Sequence, residues 1–194
     1  MEDIFQAISK GEDESLRSLL SSLKNVNQQL EAHKHFTIAH HAASVGTCSI
    51  VKQVLALQSI DLTVKDDNGK SPLHIAVLQN TSRHKSESIV QLFLVAHANV
   101  SAVDNNKQTP LHIAMLNKDI QSVRELVEFE APTDVLDKNL SSPMSLSEDL
   151  ESTFRFYMNA LPVKSFPDAN MEGMSQEGLI KSVQQAWTMQ LINK

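Results

Sequence analysis

The sequence has little of several features on which common protein classes depend. Its 194 residues include one cysteine, Cys48, so no internal disulfide can form, which favours a reducing compartment. The formal net charge of −6 argues against a nucleic-acid binder, which usually has a basic surface. The densest apolar stretch, 89–98, is interrupted by Gln91 and His97 and is far too short to span a bilayer. The acidic start, residues 1–5, lacks the basic and apolar regions of a secretory signal.

Signatures of catalysis and of cofactor binding are missing as well. The chain has only five glycines, and it contains no phosphate-binding glycine loop, no His-Glu-x-x-His and no Cys-x-x-Cys. Cys48 lies close to His41, but nothing around residues 46–49 matches a known nucleophile signature. We interpret Cys48 as a small buried or half-buried thiol in a linker between two helices. We therefore predict that the protein is not an enzyme and needs no cofactor.

The sequence does contain clear internal repeats. Three eight-residue segments match one another: Phe36-Thr37-Ile38-Ala39-His40-His41-Ala42-Ala43, Lys70-Ser71-Pro72-Leu73-His74-Ile75-Ala76-Val77 and Gln108-Thr109-Pro110-Leu111-His112-Ile113-Ala114-Met115. Their histidines are 34 and then 38 residues apart. A degraded fourth copy, 142–147, places Ser145 in the histidine position. Turn-forming segments, 66–70 and 104–108, precede the two clearest copies.

These segments resemble the ankyrin family, whose signature is Thr-Pro-Leu-His-x-Ala at about 33 residues. The resemblance implies an all-α solenoid of stacked helix-turn-helix repeats with hairpin fingers, in which the signature histidines form hydrogen bonds within the scaffold. Residues 1–150 would form the ankyrin-repeat domain, with about four repeats and a partial fifth. The apolar stripes of residues 4–8 and 16–23 fit a first repeat that has lost its Thr-Pro start and has a polar outer face. Residues 151–194 would form a C-terminal linker and helical tail.

Two segments depart from the repeat pattern. About five extra residues, 81–85, lie between the helices of the third repeat, and we interpret them as a surface insertion. Pro162, Asp168 and Gly173 indicate an irregular linker, followed by a predicted helix over residues 175–192. That helix either packs on the last repeat as a cap, or binds a partner, or begins a longer chain.

Four histidines in nine residues, His33, His35, His40 and His41, raise the question of a metal site. A metal needs ligands that converge in space with supporting hydrogen bonds. Two of these histidines would lie on a finger and two on a helix, where His40 already has a scaffold role. The pattern therefore does not favour a metal, and we predict none.

The resemblance also points to the residues that would meet a partner, because ankyrin proteins commonly bind through a concave groove between finger tips and first helices. The corresponding helix positions are Ser44, Val45, Leu78, Gln79, Leu116 and Asn117. The corresponding finger positions are Lys65, Asp67, Asn68, Lys70, Val103, Asn105, Asn106, Gln108, Leu136, Lys138, Asn139 and Ser141. We expect Val45, Leu78 and Leu116 to form an apolar line across three repeats, either as a binding patch or as packing, with a rim of mixed charge on the fingers.

The predicted function is a protein–protein interaction module that acts as an adaptor, a scaffold or an inhibitor by occlusion. We expect a protein partner, no nucleic acid, no membrane insertion, a monomeric state alone and a cytoplasmic location. Two alternatives stay open at this point. One is an effector delivered into a host cell by an intracellular bacterium or a virus, and the other is the non-catalytic ankyrin part of an enzyme.

Overall fold

The computed structural model of the chain describes residues 2–45, 47–79 and 88–146. Within these ranges the regular structure is helical, and the single β-bridge joins Leu30 and Phe36. The α-helices are α1 Glu2–Lys10, α2 Asp13–Ser21, α3 Ile38–Val45, α4 Cys48–Leu55, α5 Pro72–Gln79, α6 Ile89–Val95, α7 Pro110–Leu116 and α8 Ile120–Glu128. Short 3-10 helices span Glu31–His33 and Pro143–Leu146.

The eight helices of the described residues form four pairs that stack in two layers. In the first layer α1 contacts α3, α3 contacts α5, and α5 contacts α7. In the second layer α2, α4, α6 and α8 contact one another in the same order. Each helix of an inner pair is therefore covered by its own partner and by both neighbouring pairs, which is the architecture of a solenoid.

This stacking explains why the inner helices are apolar nearly all round. In α5 the six residues from Pro72 to Val77 are buried, and in α7 the six residues from Pro110 to Met115 are buried. The largest fully buried side chains lie along the whole array: Phe5, Ile8, Leu16, Ile38, His40, Ile50, Leu73, Phe93, Leu94, Leu111 and Leu126. The core is thus one continuous cluster that runs from the first pair to the fourth.

Local sequence signals set where the helices begin. Thr109 caps α7, since its side chain accepts a hydrogen bond from the N–H of His112, and Pro110 follows at the first helical position. In the second layer, Thr47, Ser88 and Asp119 cap α4, α6 and α8 in the same way.

The first pair has the terminal-repeat pattern that was predicted from its apolar stripes. Ile4, Phe5 and Ile8 are buried on α1, and Leu16 and Leu20 are buried on α2. The remaining positions of α2 are mainly polar and exposed to water. A polar outer face at the end of a repeat array prevents further stacking there.

One sequence-based expectation about a helix boundary was wrong. Cys48 does not lie in a linker, because Thr47 caps α4 and makes Cys48 its first residue, where the thiol is half-buried.

The insertion at residues 81–85, the linker and the predicted helix at 175–192 lie outside the described residues. Within the described part of the chain, no helix combines the length and the apolar character that are needed to cross a membrane.

Candidate protein-interaction groove

The signature histidines connect successive repeats through the main chain. His74 shows the geometry: its Nδ1 accepts from the N–H of Ser71 at 3.2 Å, and its Nε2 lies 3.0 Å from the carbonyl of Gln108 in the next repeat. The N–H of Ser71 can only donate and the carbonyl of Gln108 can only accept a hydrogen bond. Nδ1 of His74 must therefore be unprotonated, and its Nε2 must carry the proton. Both bonds therefore require a neutral imidazole in one tautomer.

The same arrangement recurs in the repeats on either side. His40 accepts from the N–H of Thr37 at 3.2 Å and donates to the carbonyl of Lys70 at 3.0 Å. His112 accepts from the N–H of Thr109 at 3.0 Å and donates to the carbonyl of Ser141 at 3.2 Å. These bonds confirm the scaffold role that the family resemblance implies for the three histidines.

Burial makes the neutral state of these histidines persist in acid. All three rings are fully buried, and desolvation lowers the pKa of His40, His74 and His112. The effect is largest for His74, whose pKa falls to about 4 even though the Gln108 carbonyl favours the charged form. At neutral pH the three histidines are thus uncharged and act as structural hydrogen-bonding groups.

A buried aspartate closes the turn of each of the three fingers that follow the first one. Asp66 Oδ1 accepts from the N–H groups of Asn68 and Lys70 at 2.9 and 2.7 Å. Asp104 does the same for Asn106 and Gln108, at 2.7 and 2.9 Å. Asp137 repeats this for Asn139 and Ser141, at 2.8 and 2.9 Å. The three carboxylates are therefore used inside the turns and do not face a partner.

Neighbouring finger tips are joined by a ladder of main-chain hydrogen bonds. The N–H of Asn105 donates to the carbonyl of Asn68, and the N–H of Lys138 donates to the carbonyl of Asn106, each at 2.9 Å. The N–H of Asp67 donates to the carbonyl of Lys34 at 3.2 Å and extends the ladder to the first finger. The tips consequently form one rigid edge, which we call the finger edge, along the array.

Two of the predicted finger residues have their charged groups engaged between repeats. Lys70 Nζ donates to Asp104 Oδ2 at 2.6 Å, and only 17% of the Lys70 side chain is exposed. Burial alone would favour the neutral acid, but the Lys70 ammonium and the turn N–H groups hold the pKa of Asp104 below its usual value. Lys65 Nζ donates to the carbonyl of Val103 at 2.7 Å. Lys65 and Lys70 thus stabilise the contact between neighbouring fingers, and they also border the groove.

The rest of the predicted rim is exposed and rich in amides. Asn68, Asn105, Asn106, Lys138 and Asn139 are exposed, whereas Val103 and Gln108 are half-buried. Asp67 is exposed, and its carboxylate is paired with His35. Because the turn aspartates are buried, the rim presents amide groups and scattered lysines more than the mixed charge that the sequence suggested.

The three residues of the predicted apolar line, Val45, Leu78 and Leu116, are exposed, but Val45 is not at the equivalent position of its helix. Leu78 and Leu116 each lie four residues after a signature histidine, at the C-terminal ends of α5 and α7, and they are 37% and 48% exposed. Val45 is 48% exposed but lies five residues after His40, so half-buried Ser44 occupies the matching position on α3. The strictly repeated pair is therefore Leu78 and Leu116, with Val45 displaced by one helical position. Gln79 and Asn117 follow the two leucines and are exposed.

The histidine cluster near the first finger stabilises the contact between the first two repeats. His41 stacks on Phe5 at 4.3 Å between ring centroids, and its Nε2 lies 3.0 Å from the Phe5 carbonyl. His33 Nε2 lies 2.9 Å from Glu2 Oε1. Across the described ranges, no three or more histidine, cysteine or acidic side chains converge in a way that could hold a metal ion.

One exposed apolar residue was missed by sequence reasoning. Leu140 occupies the position that Gly69 and Lys107 hold in the two preceding fingers, has a positive φ of 61°, and is 78% exposed. Leu136 on the same finger is 50% exposed. Aligning the turn segments against each other would have identified Leu140, because leucine is unusual at a position that favours glycine.

Comparison with known proteins agrees with this geometry. The family model described as ankyrin repeats (3 copies) matches residues 4–86 and 78–148, which together make up well over half of the chain. The chain belongs to the ankyrin-repeat family. Ankyrin repeats are generally protein-interaction modules and are typically non-catalytic. Among curated proteins no match was found.

Proposed function

We propose that this ankyrin-repeat protein binds a partner protein through the groove between its first-layer helices and its finger edge, as an adaptor, a scaffold or an inhibitor by occlusion. The observation that carries the proposal is the exposure of Leu78 and Leu116 at equivalent positions of neighbouring helices whose other apolar residues are buried. Exposed apolar side chains at a regular spacing are typical of a contact surface.

The energetics of such a contact are modest but sufficient for specificity. Completing the burial of a half-exposed leucine contributes about 1 kcal/mol, so the pair contributes about 2 kcal/mol, or roughly 30-fold in affinity. The amides of Asn68, Asn105 and Asn106 supply hydrogen bonds around this apolar centre, as a polar rim does in protein interfaces.

Rigidity supports the same proposal. The histidine links and the finger ladder hold the groove in shape before any partner arrives. A preformed surface loses little conformational entropy on binding, so more of the contact energy appears as affinity. No reaction is required of the site, and the function is binding.

The test is an affinity capture from eukaryotic cell lysate with three baits. They are the native chain, a Leu78→Glu/Leu116→Glu groove variant, and a Val95→Glu/Ile120→Glu control variant. Val95 and Ile120 are exposed apolar residues on second-layer helices, so the control adds the same charge elsewhere. Equal helicity of the three baits is first verified by circular dichroism, and the affinity for a retained protein is then measured with purified components.

We expect the control variant to bind the retained protein as the native chain does, and the groove variant to bind at least about 30-fold more weakly. Loss of binding in the control variant alone would place the contact on the second layer and refute the groove. Equal binding by all three baits would also refute it. If the native chain retains no protein from lysates of several cell types, the adaptor proposal fails.

A further inference from the structure

The distance between neighbouring repeats sets the spacing of the apolar contacts in the groove. Leu78 and Leu116 hold equivalent positions on α5 and α7, each four residues after its signature histidine. The two helices contact each other directly, and packed helices lie about 8–10 Å apart. A partner that runs along the groove therefore meets one exposed leucine about every 8–10 Å.

A polypeptide in the polyproline-II conformation matches this spacing. Its helix has three residues per turn and a rise of about 3.1 Å per residue, so side chains three positions apart share a face and lie about 9 Å apart. In a β-strand the side chains of one face recur every two residues, at about 7 Å, which is shorter than the repeat. In an α-helix a rise of about 10 Å takes seven residues. The spacing thus suits a polyproline-II segment or a helix better than a strand.

Side-chain amides on the finger edge favour the polyproline-II segment over the helix. Asn68 and Asn106 each lie two residues after a turn aspartate, and both are exposed. Their carboxamides recur at the interval of the repeat, and each can both donate and accept a hydrogen bond. A polyproline-II segment has no internal hydrogen bonds, so its main-chain groups need outside partners, whereas a helix pairs these groups within itself.

The charges that a partner would contact at the finger tips are positive, although the whole chain carries a net charge of −6. In the turn segments 104–108 and 137–141 the aspartates are buried, and the exposed ionisable side chains are those of Lys107 and Lys138. Lys65 on the preceding finger is exposed and donates to a main-chain carbonyl, which does not neutralise its charge.

Exposed acids on the same fingers do not offset these lysines. Asp67 is exposed, but its carboxylate is paired with His35. Asp134 is exposed three residues before the turn aspartate of the fourth finger. The lysines at the tips therefore favour a segment with acidic side chains, because opposite charges at an interface attract and orient the partner.

We propose that the partner of this groove is an acidic segment in the polyproline-II conformation, with an apolar residue at every third position. One apolar side chain packs on Leu78 and the next packs on Leu116. The carboxamides of Asn68 and Asn106 form hydrogen bonds with the main chain of the segment, and its acidic residues pair with the lysines of the finger tips. This inference rests on the proposed function, because it names the class of partner that the groove binds.

The test measures the affinity of the full chain for four synthetic fluorescent peptides by fluorescence polarisation. In the first, the i,i+3 peptide, two leucines stand three positions apart among Asp, Glu and Ser. The i,i+2 peptide has the same composition with the leucines two positions apart. The i,i+7 peptide is a helix-forming Ala/Glu sequence with leucines seven positions apart. The neutral peptide is the i,i+3 peptide with Asn and Gln in place of Asp and Glu.

We expect the i,i+3 peptide to bind about fivefold more tightly than the i,i+2 peptide, which can place only one of its leucines on the groove pair. We expect it to bind at least about twofold more tightly than the neutral peptide at low salt, and this difference to shrink as salt is added. The i,i+7 peptide is expected to bind more weakly than the i,i+3 peptide, because its main chain makes no use of the finger amides.

Variants of the protein locate each preference. Leu116→Ala is expected to abolish the preference for i,i+3 over i,i+2, while Val95→Ala, at an exposed residue of the second layer, keeps it. Lys107→Gln/Lys138→Gln is expected to abolish the preference for the acidic over the neutral peptide. The control Arg17→Gln/Lys24→Gln makes the same change of charge at exposed residues of the first repeat and keeps that preference.

Four results would overturn the inference: equal affinities for the i,i+3 and i,i+2 peptides, equal affinities for the acidic and neutral peptides, tightest binding of the i,i+7 peptide, or binding of none of them at about 1 mM. The proposed function is tested separately, with a captured protein and the Leu78→Glu/Leu116→Glu variant. A captured protein that needs these leucines, while the i,i+3 peptide shows no preference, would support the groove and refute the polyproline-II segment.

Discussion

His74 offers the sharpest prediction about stability, because its two main-chain hydrogen bonds require a neutral ring. Protonation would place a proton on Nδ1, directly facing the N–H of Ser71. The folded protein therefore resists protonation of this side chain, while the unfolded chain does not. Lowering the pH below the usual histidine pKa favours the unfolded chain, which binds the extra proton.

The magnitude follows from the pKa values of the two states. The pKa of His74 is about 4 in the folded protein and 6.5 as its ordinary value. Its contribution to the free energy of unfolding is complete above pH of about 6.5 and is lost as the pH falls towards 4. The loss from this one residue amounts to about 2 kcal/mol at pH of about 5 and about 3 kcal/mol at pH of about 4.

The measurement combines a titration with urea unfolding. The ring resonances of His74 are followed by NMR between neutral and acid pH to give its pKa in the folded chain. Urea unfolding is then measured at pH of about 7 and 5 for the native protein, for His74→Gln, and for His97→Gln as a control at an exposed histidine. We expect the pH-dependent loss of stability to be about 2 kcal/mol smaller in His74→Gln than in the other two proteins.

Two results would contradict this account. One is a ring that titrates near 6.5 while the protein is still folded, which would mean that protonation does not disturb the link to Ser71. The other is an equal pH dependence in His74→Gln and His97→Gln. The turn carboxylates do not contribute to the loss of stability between pH of about 7 and 5. The pKa values of Asp104 and Asp137 are lowered, so both side chains remain ionised at pH of about 5.

Three further substitutions test the packing, the capping and the finger contact, each by urea unfolding at neutral pH. Phe93→Ala removes a fully buried ring and is expected to lower the free energy of unfolding by about 3–5 kcal/mol. Thr109→Ala removes the cap of α7 and is expected to cost about 1 kcal/mol. Gly69→Ala is expected to lower the free energy of unfolding clearly more than Gly11→Ala. Both glycines have a φ of 73°, so the backbone strain is the same. A Cβ at position 69 would lie 2.3 Å from Oδ1 of Asn105, whereas a Cβ at position 11 would meet no atom within 4 Å. Equal costs at the two glycines, or losses below about 0.5 kcal/mol at Phe93 or Thr109, would contradict the corresponding contact.

The fold was predictable because its strongest constraints are local in sequence. Thr109, Pro110 and His112 form the cap and the first turn of a helix within four residues, and the same pattern recurs at a recognisable period. The turn segments were recognisable for the same reason, since the Asp66 carboxylate accepts hydrogen bonds from the N–H groups two and four positions later. Features of this kind need no knowledge of the rest of the molecule.

Features that depend on contacts between repeats were beyond sequence reasoning. The exposure of Leu78 and Leu116 depends on how closely neighbouring helices cover them. The ladder between fingers joins residues about 35 positions apart through main-chain atoms, which have no sequence signature. The displacement of Val45 by one position is different, because the number of residues that separate it from His40 is visible in the sequence. Whether the groove binds a partner remains a prediction.

The acceptors of the histidine links are main-chain carbonyls, and this has a consequence for how such a protein changes over time. The residues whose carbonyls are used, Lys70, Gln108 and Ser141, have unrelated side chains, yet the bond is the same in each case. A repeat that carries the histidine can therefore be placed before any other repeat without a matching substitution in its new neighbour. Duplication, deletion and exchange of single repeats therefore leave the histidine-to-carbonyl hydrogen bond between repeats intact. The surface residues can diverge while this bond stays the same.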